Sequence, residues 1–216
     1  MNQKQYKKNN DFQWSIQIPT FLSHEKCDEL VETIKTSEQG TTGCVGDIDE
    51  QGKPLENQII PNIRKTTEYY LLPQVDNEFR PDYPNKDWKW LQDKISMVAN
   101  MINDKVYHFD VKDTDGELKM IEYEKGGHYT WHADFNPGTC SLRKLVAILQ
   151  LTDPNEFEGG EVQFGFTDEK TGDWFKMNKL KGSLTIFPSF ISHRVTPVTK
   201  GKRYVIQELF IGDHFK

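Results

Sequence analysis

Residues 123–134 read YEKGGHYTWHAD. Residues 128–133 of this stretch are a predicted β-strand, and the turn Asn136-Pro137-Gly138 follows it. His132 and Asp134 stand two residues apart, and alternate residues of a strand point to the same face. Both side chains can therefore reach one metal ion. A second histidine from another strand would complete the two-histidine, one-carboxylate set that leaves open positions on Fe(II). His193, which opens a later predicted strand, is the candidate for that third ligand.

The His-x-Asp pattern occurs a second time, at His108-Phe109-Asp110, so the pattern alone does not locate the site. This second copy lies in an alternating stretch beside two further aspartates, which indicates a solvated face. The copy at His132 and Asp134 ends a strand, where its side chains can meet a substrate. For His193 alone, a buried structural histidine is the alternative interpretation, and its position at the start of a strand favours ligation.

An arginine is predicted near the same site if the chain after His193 forms a tight hairpin. With residues 199–201 as a three-residue loop and Gly201 in the left-handed conformation, His193 would pair with Gln207, and Arg203 would share its face. The guanidinium of Arg203 could then bind the distal carboxylate of a short dicarboxylate. A two-residue loop would instead turn Arg203 outward as a surface charge. The residues predicted to face inward are His193, Val195, Pro197, Arg203, Val205, Gln207 and Leu209.

The remaining pattern predicts helices first and strands afterwards. Ser23 is the predicted N-cap of a helix that ends near Ser37, and residues 87–106 form a second helix with one apolar stripe. This order predicts a mainly β protein with flanking helices, an α+β arrangement around a β-sandwich or jelly-roll core. The predicted strands are 12–18, 65–72, 107–111, 117–123, 128–133, 145–152, 161–166, 174–176, 183–187, 193–198 and 203–211.

The domain organisation expected from 216 residues is a polar tail, 1–10, and a single domain, 11–216. Within it, residues 23–106 supply helical support and residues 121–211 the core motifs. The long loop 40–61 is a candidate lid over the site, and a disordered insertion is the alternative.

Composition narrows the functional classes. A net charge of −6 makes nucleic acid an unexpected partner. The three cysteines form no CxxC pair, which favours a reducing compartment. No apolar run is long enough to span a membrane and the first ten residues do not form a signal peptide, so we expect a cytoplasmic protein without a membrane partner.

Specific motifs extend well beyond the metal ligands. Residues 123–134 follow the pattern Tyr-x-x-Gly-x-x-Tyr-x-x-His-x-Asp, and the tyrosine and glycine residues precede His132 rather than His108. Further matching segments are 158–162 (EGGEV), 187–189 (FPS), 193–197 (HRVTP) and 201–203 (GKR). Over residues 121–211 the chain thus resembles the prolyl 4-hydroxylase-like branch of the Fe(II)/2-oxoglutarate-dependent dioxygenases.

This resemblance implies a double-stranded β-helix (jelly-roll) core and a hydroxylase that uses Fe(II), 2-oxoglutarate and O2, with ascorbate as a further candidate cofactor. It implies iron on His132, Asp134 and His193, and the distal carboxylate of 2-oxoglutarate on Arg203 and the Tyr123 hydroxyl. Core packing is the alternative role for Tyr123. The other residues implied at the site are Gln207 and Val162 in the co-substrate pocket, and Tyr129 and Trp131 on the substrate side.

Two residues depart from the family pattern, and neither touches the metal set. Val162 stands where relatives often have threonine, which removes a polar contact from the pocket, and Leu209 replaces an aromatic residue. Peptidyl proline, in a peptide or protein, is the leading substrate by resemblance. The alternatives are a free amino acid or other small molecule, a non-catalytic metal-binding β-helix module, and a zinc hydrolase, which would not need Arg203.

Overall fold

Two antiparallel β-sheets face each other in the computed structural model of this chain, which describes residues 13–46, 58–72 and 88–215. The strands, in chain order, are β1 (Ile16–Ile18), β2 (Thr41–Thr42), β3 (Arg64–Lys65), β4 (Thr67–Tyr70), β5 (Asp113–Thr114), β6 (Lys119–Tyr123), β7 (His128–His132), β8 (Arg143–Gln150), β9 (Phe157–Gly159), β10 (Val162–Thr167), β11 (Trp174–Lys176), β12 (Leu184–Pro188), β13 (His193–Val195), β14 (Val198–Gly201) and β15 (Arg203–Ile211).

The larger sheet has the order β1-β12-β8-β15-β6-β4-β2, with β5 beside β15, and the smaller sheet has the order β11-β10-β13-β7-β3. Strands β14 and β9 form a separate pair. The predicted fold class is confirmed: a mainly β, jelly-roll protein with flanking helices.

Two helices cover the outer face of the larger sheet. Helix α1 (His24–Ser37) begins at Ser23, whose hydroxyl accepts a hydrogen bond from the backbone N–H of Lys26 at 3.2 Å. Helix α2 spans Lys89–Ile102. Each buries an apolar stripe against the sheet, and full burial of one such side chain contributes about 1.5–3 kcal/mol. The buried residues of the helices are Cys27, Leu30, Ile34, Leu91, Gln92, Ile95, Ala99 and Ile102. Among the described residues, no helix combines the length and the apolar character needed to cross a membrane.

Alternation along β8 shows how the fold forms two apolar layers. Leu145 and Leu149 belong to the cluster shared with the helices, whereas Val146 and Ile148 belong to the cluster between the two sheets. A strand buried on both faces has few polar residues, and that is the character of β8. The inner layer is where the candidate site lies.

The prediction of a strand at 107–111 is wrong. The chain instead continues from α2 into a π-helical turn, Asn103–Tyr107, which ends at His108 in the left-handed conformation, φ 56°. The side chain of Asn103 holds this ending, because it donates to the carbonyl of Phe109 at 2.8 Å and accepts from its N–H at 3.0 Å. A local side-chain cap of this kind competes with strand formation.

The predicted hairpin between His193 and Gln207 is also wrong. Gly201 has the predicted left-handed conformation, φ 70°, but the chain there passes from the separate pair of β14 and β9 into the larger sheet. Strand β14 pairs with β9, and β15 pairs with β6 and β8. His193 therefore lies opposite Phe164 and His132.

Some predictions fall on parts of the chain that the structure does not describe. The polar tail 1–10 lies outside the described residues, as do residues 47–57 of the candidate lid. At the described ends of that loop, Thr41–Thr42 pairs with β4, and Val45 pairs with Gln58.

Candidate active site

The three predicted metal ligands converge on one point of the smaller sheet. His132 ends β7, His193 opens the neighbouring β13, and the two residues are paired across the strands. One ligand atom from each, together with a carboxylate oxygen of Asp134, lies within 4.8 Å of the other two. The Nε2 atoms of His132 and His193 are 4.0 and 3.6 Å from the two carboxylate oxygens of Asp134. Ligand bonds of about 2 Å to a shared ion fit atoms this close together.

Hydrogen bonds fix which nitrogen of each histidine faces the centre. Nδ1 of His132 lies 2.8 Å from the carbonyl of Thr130, and Nδ1 of His193 lies 2.9 Å from the carbonyl of Ile191. A carbonyl only accepts, so both Nδ1 atoms carry the proton and both Nε2 lone pairs are free for a metal.

The charge state of the cluster also suits a cation. Burial lowers the pKa of His132 to about 4, so this ring is neutral at pH 7. Burial alone would raise the pKa of Asp134, but His193, His132, Arg143 and Lys119 together lower it below its ordinary value. One oxygen of this carboxylate, Oδ2, is buried with no hydrogen-bond partner among the described residues. Two Nε2 atoms and one carboxylate oxygen without a hydrogen-bond partner fit a divalent transition metal such as Fe(II).

A β-bulge brings Tyr129 to the same face as His132. Val195 pairs with Tyr129 and His193 with His132, so two steps along β13 correspond to three along β7. The extra residue reverses the alternation of the strand. The rings of Tyr129 and His132 consequently stack, with centroids 3.5 Å apart. The guanidinium of Arg64 also lies over the Tyr129 ring, 4.7 Å from its centroid.

Beside the metal cluster, a cavity opens between the two sheets. Its lining comes from both sheets and consists of Arg64, Ile121, Tyr123, Tyr129, His132, Ile148, Val162, His193, Val195, Arg203, Val205 and Gln207. The predicted residues Tyr123, Tyr129, Val162, Arg203 and Gln207 are thus brought together with both histidine ligands.

Among the cavity-lining residues, Arg203 is notable because its charged side chain is almost fully buried. It is 1% exposed, and its Nη2 atom has no hydrogen-bond partner among the described residues. Its Nε donates to the amide oxygen of Gln150 at 3.0 Å, and its guanidinium lies 5.4 Å from the ring centroid of Tyr123. Burial lowers the pKa of Arg203 to about 10. A buried cation without an acidic partner is costly, so this end of the cavity suits an anionic group.

Other predicted residues lie away from the cavity. Trp131 is 37% exposed, and its ring packs against Trp174, at 4.9 Å between centroids, and against the guanidinium of Arg194 at 4.7 Å. His108 is exposed and takes no part in the metal cluster, as predicted. Pro197, predicted to face inward, is exposed.

Two polar residues of the site, Gln150 and Arg64, were missed by the sequence analysis. Gln150 contacts Arg203, and its signal is a polar residue within the apolar run LVAILQL, residues 145–151. Arg64 lines the cavity and gave no signal, because nothing near it in the sequence indicates the stack on Tyr129.

Comparison with known proteins identifies similar sequences and similar folds. Residues 118–210 match the model of the 2OG-Fe(II) oxygenase superfamily. A PKHD-type hydroxylase of Aliarcobacter butzleri is 37% identical over 90 residues, 39% of this chain and 38% of that protein. One of Rippkaea orientalis is 30% identical over 148 residues, 66% of this chain and 63% of that protein. The aligned region is thus little more than a third of the length of the first of these relatives.

Solved structures share the fold over nearly the whole chain. A prolyl-4-hydroxylase of Pseudomonas putida superposes with a TM-score of 0.61 at 17% identity, covering 93% of both chains. A prolyl hydroxylase of Trichoplax adhaerens, in complex with a hypoxia inducible factor peptide fragment, gives 0.67 at 16% identity, covering 94% of this chain and 84% of that one. Residues 118–210 are thus similar in sequence to the 2OG-Fe(II) oxygenase superfamily, and the chain shares its fold with solved prolyl hydroxylases.

Proposed function

We propose that this protein is an Fe(II)- and 2-oxoglutarate-dependent dioxygenase that hydroxylates a substrate C–H bond. One observation carries the proposal: both histidines of the candidate metal-ligand set line the same cavity as Arg203, a buried arginine that forms no ion pair with any described residue. A metal hydrolase would use the first of these features and would have no need of the second.

His132, Asp134 and His193 would hold Fe(II), and their two-histidine, one-carboxylate set leaves coordination positions open. Bound iron supplies O2 activation coupled to the oxidative decarboxylation of 2-oxoglutarate to succinate and CO2. The protein binds and orients the reactants and excludes water from the space between the sheets.

The co-substrate pocket is formed by the larger sheet. Arg203 offers a bidentate guanidinium to the distal carboxylate. Tyr123 lies opposite it on β6, and burial raises the pKa of this phenol, which keeps it protonated and able to donate. The apolar side chains of Ile121, Ile148 and Val205 line the cavity and suit the methylene groups between the two carboxylates.

A peptidyl proline is the substrate that we propose. Two arguments support it: the motif resemblance, and the fold shared with prolyl hydroxylases, one of which is in complex with a peptide fragment. Tyr129, stacked on His132 at the cavity wall, is the proposed contact for the substrate. We also propose a reducing compartment, which suits the three free cysteines.

The test is succinate formation from 2-oxoglutarate in the presence of Fe(II) and ascorbate, with and without proline-rich peptides. We expect peptide-stimulated succinate that His193→Ala abolishes. His108→Ala is the matched control, because it removes an exposed histidine of the same His-x-Asp pattern, and it should retain full activity. Succinate no higher than in the His193→Ala variant would refute the oxygenase. Turnover stimulated by a free amino acid and not by peptides would refute the peptide substrate alone.

A further inference from the structure

Gln150 is the single side chain that hydrogen bonds Arg203 among the described residues, and its own orientation is fixed. Its Oε1 accepts from Arg203 Nε at 3.0 Å, and its Nε2 donates to the carbonyl of Thr152 at 2.9 Å. The guanidinium can only donate and the carbonyl can only accept, so the amide satisfies both in one orientation only. Gln150 is fully buried.

The position of Thr152 is in turn fixed by the neighbouring strand. Its hydroxyl accepts a hydrogen bond from the backbone N–H of Tyr204 at 2.7 Å. The backbone of Gln150 is bound on both sides as well, to the carbonyl of Ser183 at 2.9 Å and to the N–H of Gly182 at 2.8 Å. Gln150 is therefore a rigid support for Arg203.

Gln150 is also electrically neutral, and this decides what the pocket can bind. A glutamate has the same length, and its carboxylate would reach Nε of Arg203 and cancel the charge. No acidic side chain described by the structure forms an ion pair with Arg203, and none contributes to the shift of its pKa, which burial lowers. The guanidinium thus keeps a full positive charge, with Nη2 unpaired.

We propose that Gln150 is a specificity-determining residue: it orients Arg203 while leaving its charge uncompensated, so that the cavity selects 2-oxo acids with a distal carboxylate. This inference rests on the proposed function, because it concerns the co-substrate of the same site. Gln150 itself acts through Arg203 and is a positioning residue rather than a catalytic one.

The experiment compares two substitutions that both remove the donor to the carbonyl of Thr152 and differ in the charge that they place against Arg203. Gln150→Glu supplies an acceptor and a negative charge, whereas Gln150→Met supplies neither and keeps a similar size. Binding of 2-oxoglutarate and of 2-oxopentanoate, which has the same chain length and no distal carboxylate, is measured by anaerobic calorimetry on Mn(II)-loaded protein between pH 6 and 8.5. Mn(II) affinity is the check on folding and on the metal site.

We expect the wild-type protein to prefer 2-oxoglutarate by about 100-fold, the ratio for roughly 3 kcal/mol from charged hydrogen bonds. Gln150→Glu should reduce this preference by at least about 30-fold at pH 8.5, through loss of 2-oxoglutarate affinity alone. Gln150→Met should weaken 2-oxoglutarate by no more than about tenfold and keep most of the preference.

The outcomes separate the two proposals. If wild-type protein binds 2-oxoglutarate no better than 2-oxopentanoate, the proposed function itself fails. If wild type discriminates and Gln150→Glu discriminates equally at every pH, the role of Gln150 is refuted. Equal losses in the Glu and Met variants would assign Gln150 a hydrogen-bonding role and would overturn the charge argument.

Discussion

Replacing Arg203 by methionine tests how much the buried positive charge of Arg203 costs the folded protein. The quantity measured is the free energy of unfolding rather than turnover. Burial lowers the pKa of Arg203 to about 10, more than two units below its ordinary value. At about 1.4 kcal/mol per pKa unit, keeping this charge buried costs roughly 3 kcal/mol. Methionine fills most of the same space without the charge. It leaves Oε1 of Gln150 without its donor, which costs about 1–3 kcal/mol.

Removing the buried charge stabilises the fold, and leaving Gln150 without its donor destabilises it by a similar or smaller amount. The net change in the free energy of unfolding is therefore small and favours the variant. Ligand-free Arg203→Met should therefore be as stable as wild type, or more stable by up to about 2 kcal/mol, whereas most truncations of a buried side chain are destabilising. The same change should abolish stabilisation by 2-oxoglutarate, which for wild type should reach about 2.7 kcal/mol at 100 times Kd. Urea unfolding of Mn(II)-loaded protein, with and without 2-oxoglutarate, measures both quantities. A ligand-free loss of several kcal/mol, or ligand stabilisation equal to that of wild type, would refute this account.

Three further predictions concern the surrounding structure. Burial raises the pKa of Glu208 to about 8 from 4.5, so the folded protein holds a proton that the unfolded chain releases. Relative to Glu208→Gln, wild type should lose about 1.4 kcal/mol per pH unit from pH 4.5 to 8 in urea unfolding, and parallel pH profiles would contradict this. Tyr129→Leu removes the ring stacked on His132 and should weaken Co(II) binding on the order of tenfold. Tyr129→Phe keeps the ring and should leave the Co(II) affinity unchanged. Equal affinities in the two variants would rule out the stack as a support for His132. Gly201→Ala should destabilise by more than about 1 kcal/mol, because φ is 70° and the new Cβ would lie 2.0 Å from the carbonyl oxygen of Glu156; an unchanged urea midpoint would show that the loop relaxes.

The grouping of the candidate metal ligands was predictable because their relation is mostly local. His132 and Asp134 are two residues apart, and the alternation of a strand suffices to bring them together. The rejection of His108 also followed from local context, although the actual structure there is a π-helical turn rather than a strand.

The position of Arg203 was predicted correctly from a wrong pairing. The hairpin argument placed it beside His193 on one sheet, but the two residues lie on opposite sheets and meet across the cavity. Loop composition fixed the conformation of Gly201 and did not reveal that the chain crosses between sheets there. Which strands pair depends on contacts between residues far apart in sequence, and a local pattern does not contain them.

Trp131 shows the limit of the alternation rule itself. By that rule Tyr129 and Trp131 share a face. The family resemblance had implied that both lie on the substrate side. One extra residue in β7 turns Tyr129 towards the cavity with His132 and leaves Trp131 against Trp174 and Arg194. The bulge is defined by the pairing of β7 with β13, so the sequence of β7 alone does not reveal it.

The two sheets contribute opposite charges to one enclosed space. Asp134, which follows β7 of the smaller sheet, supplies the carboxylate oxygen Oδ2, and Arg203 of the larger sheet supplies the guanidinium nitrogen Nη2. Each is a buried atom with no hydrogen-bond partner among the described residues, and each lowers the stability of the ligand-free protein. A divalent cation satisfies the first and a carboxylate the second, so a metal chelated by a dicarboxylate of the right length satisfies both at once and links the sheets. The same groups that select the co-substrate should therefore make its binding stabilise the fold.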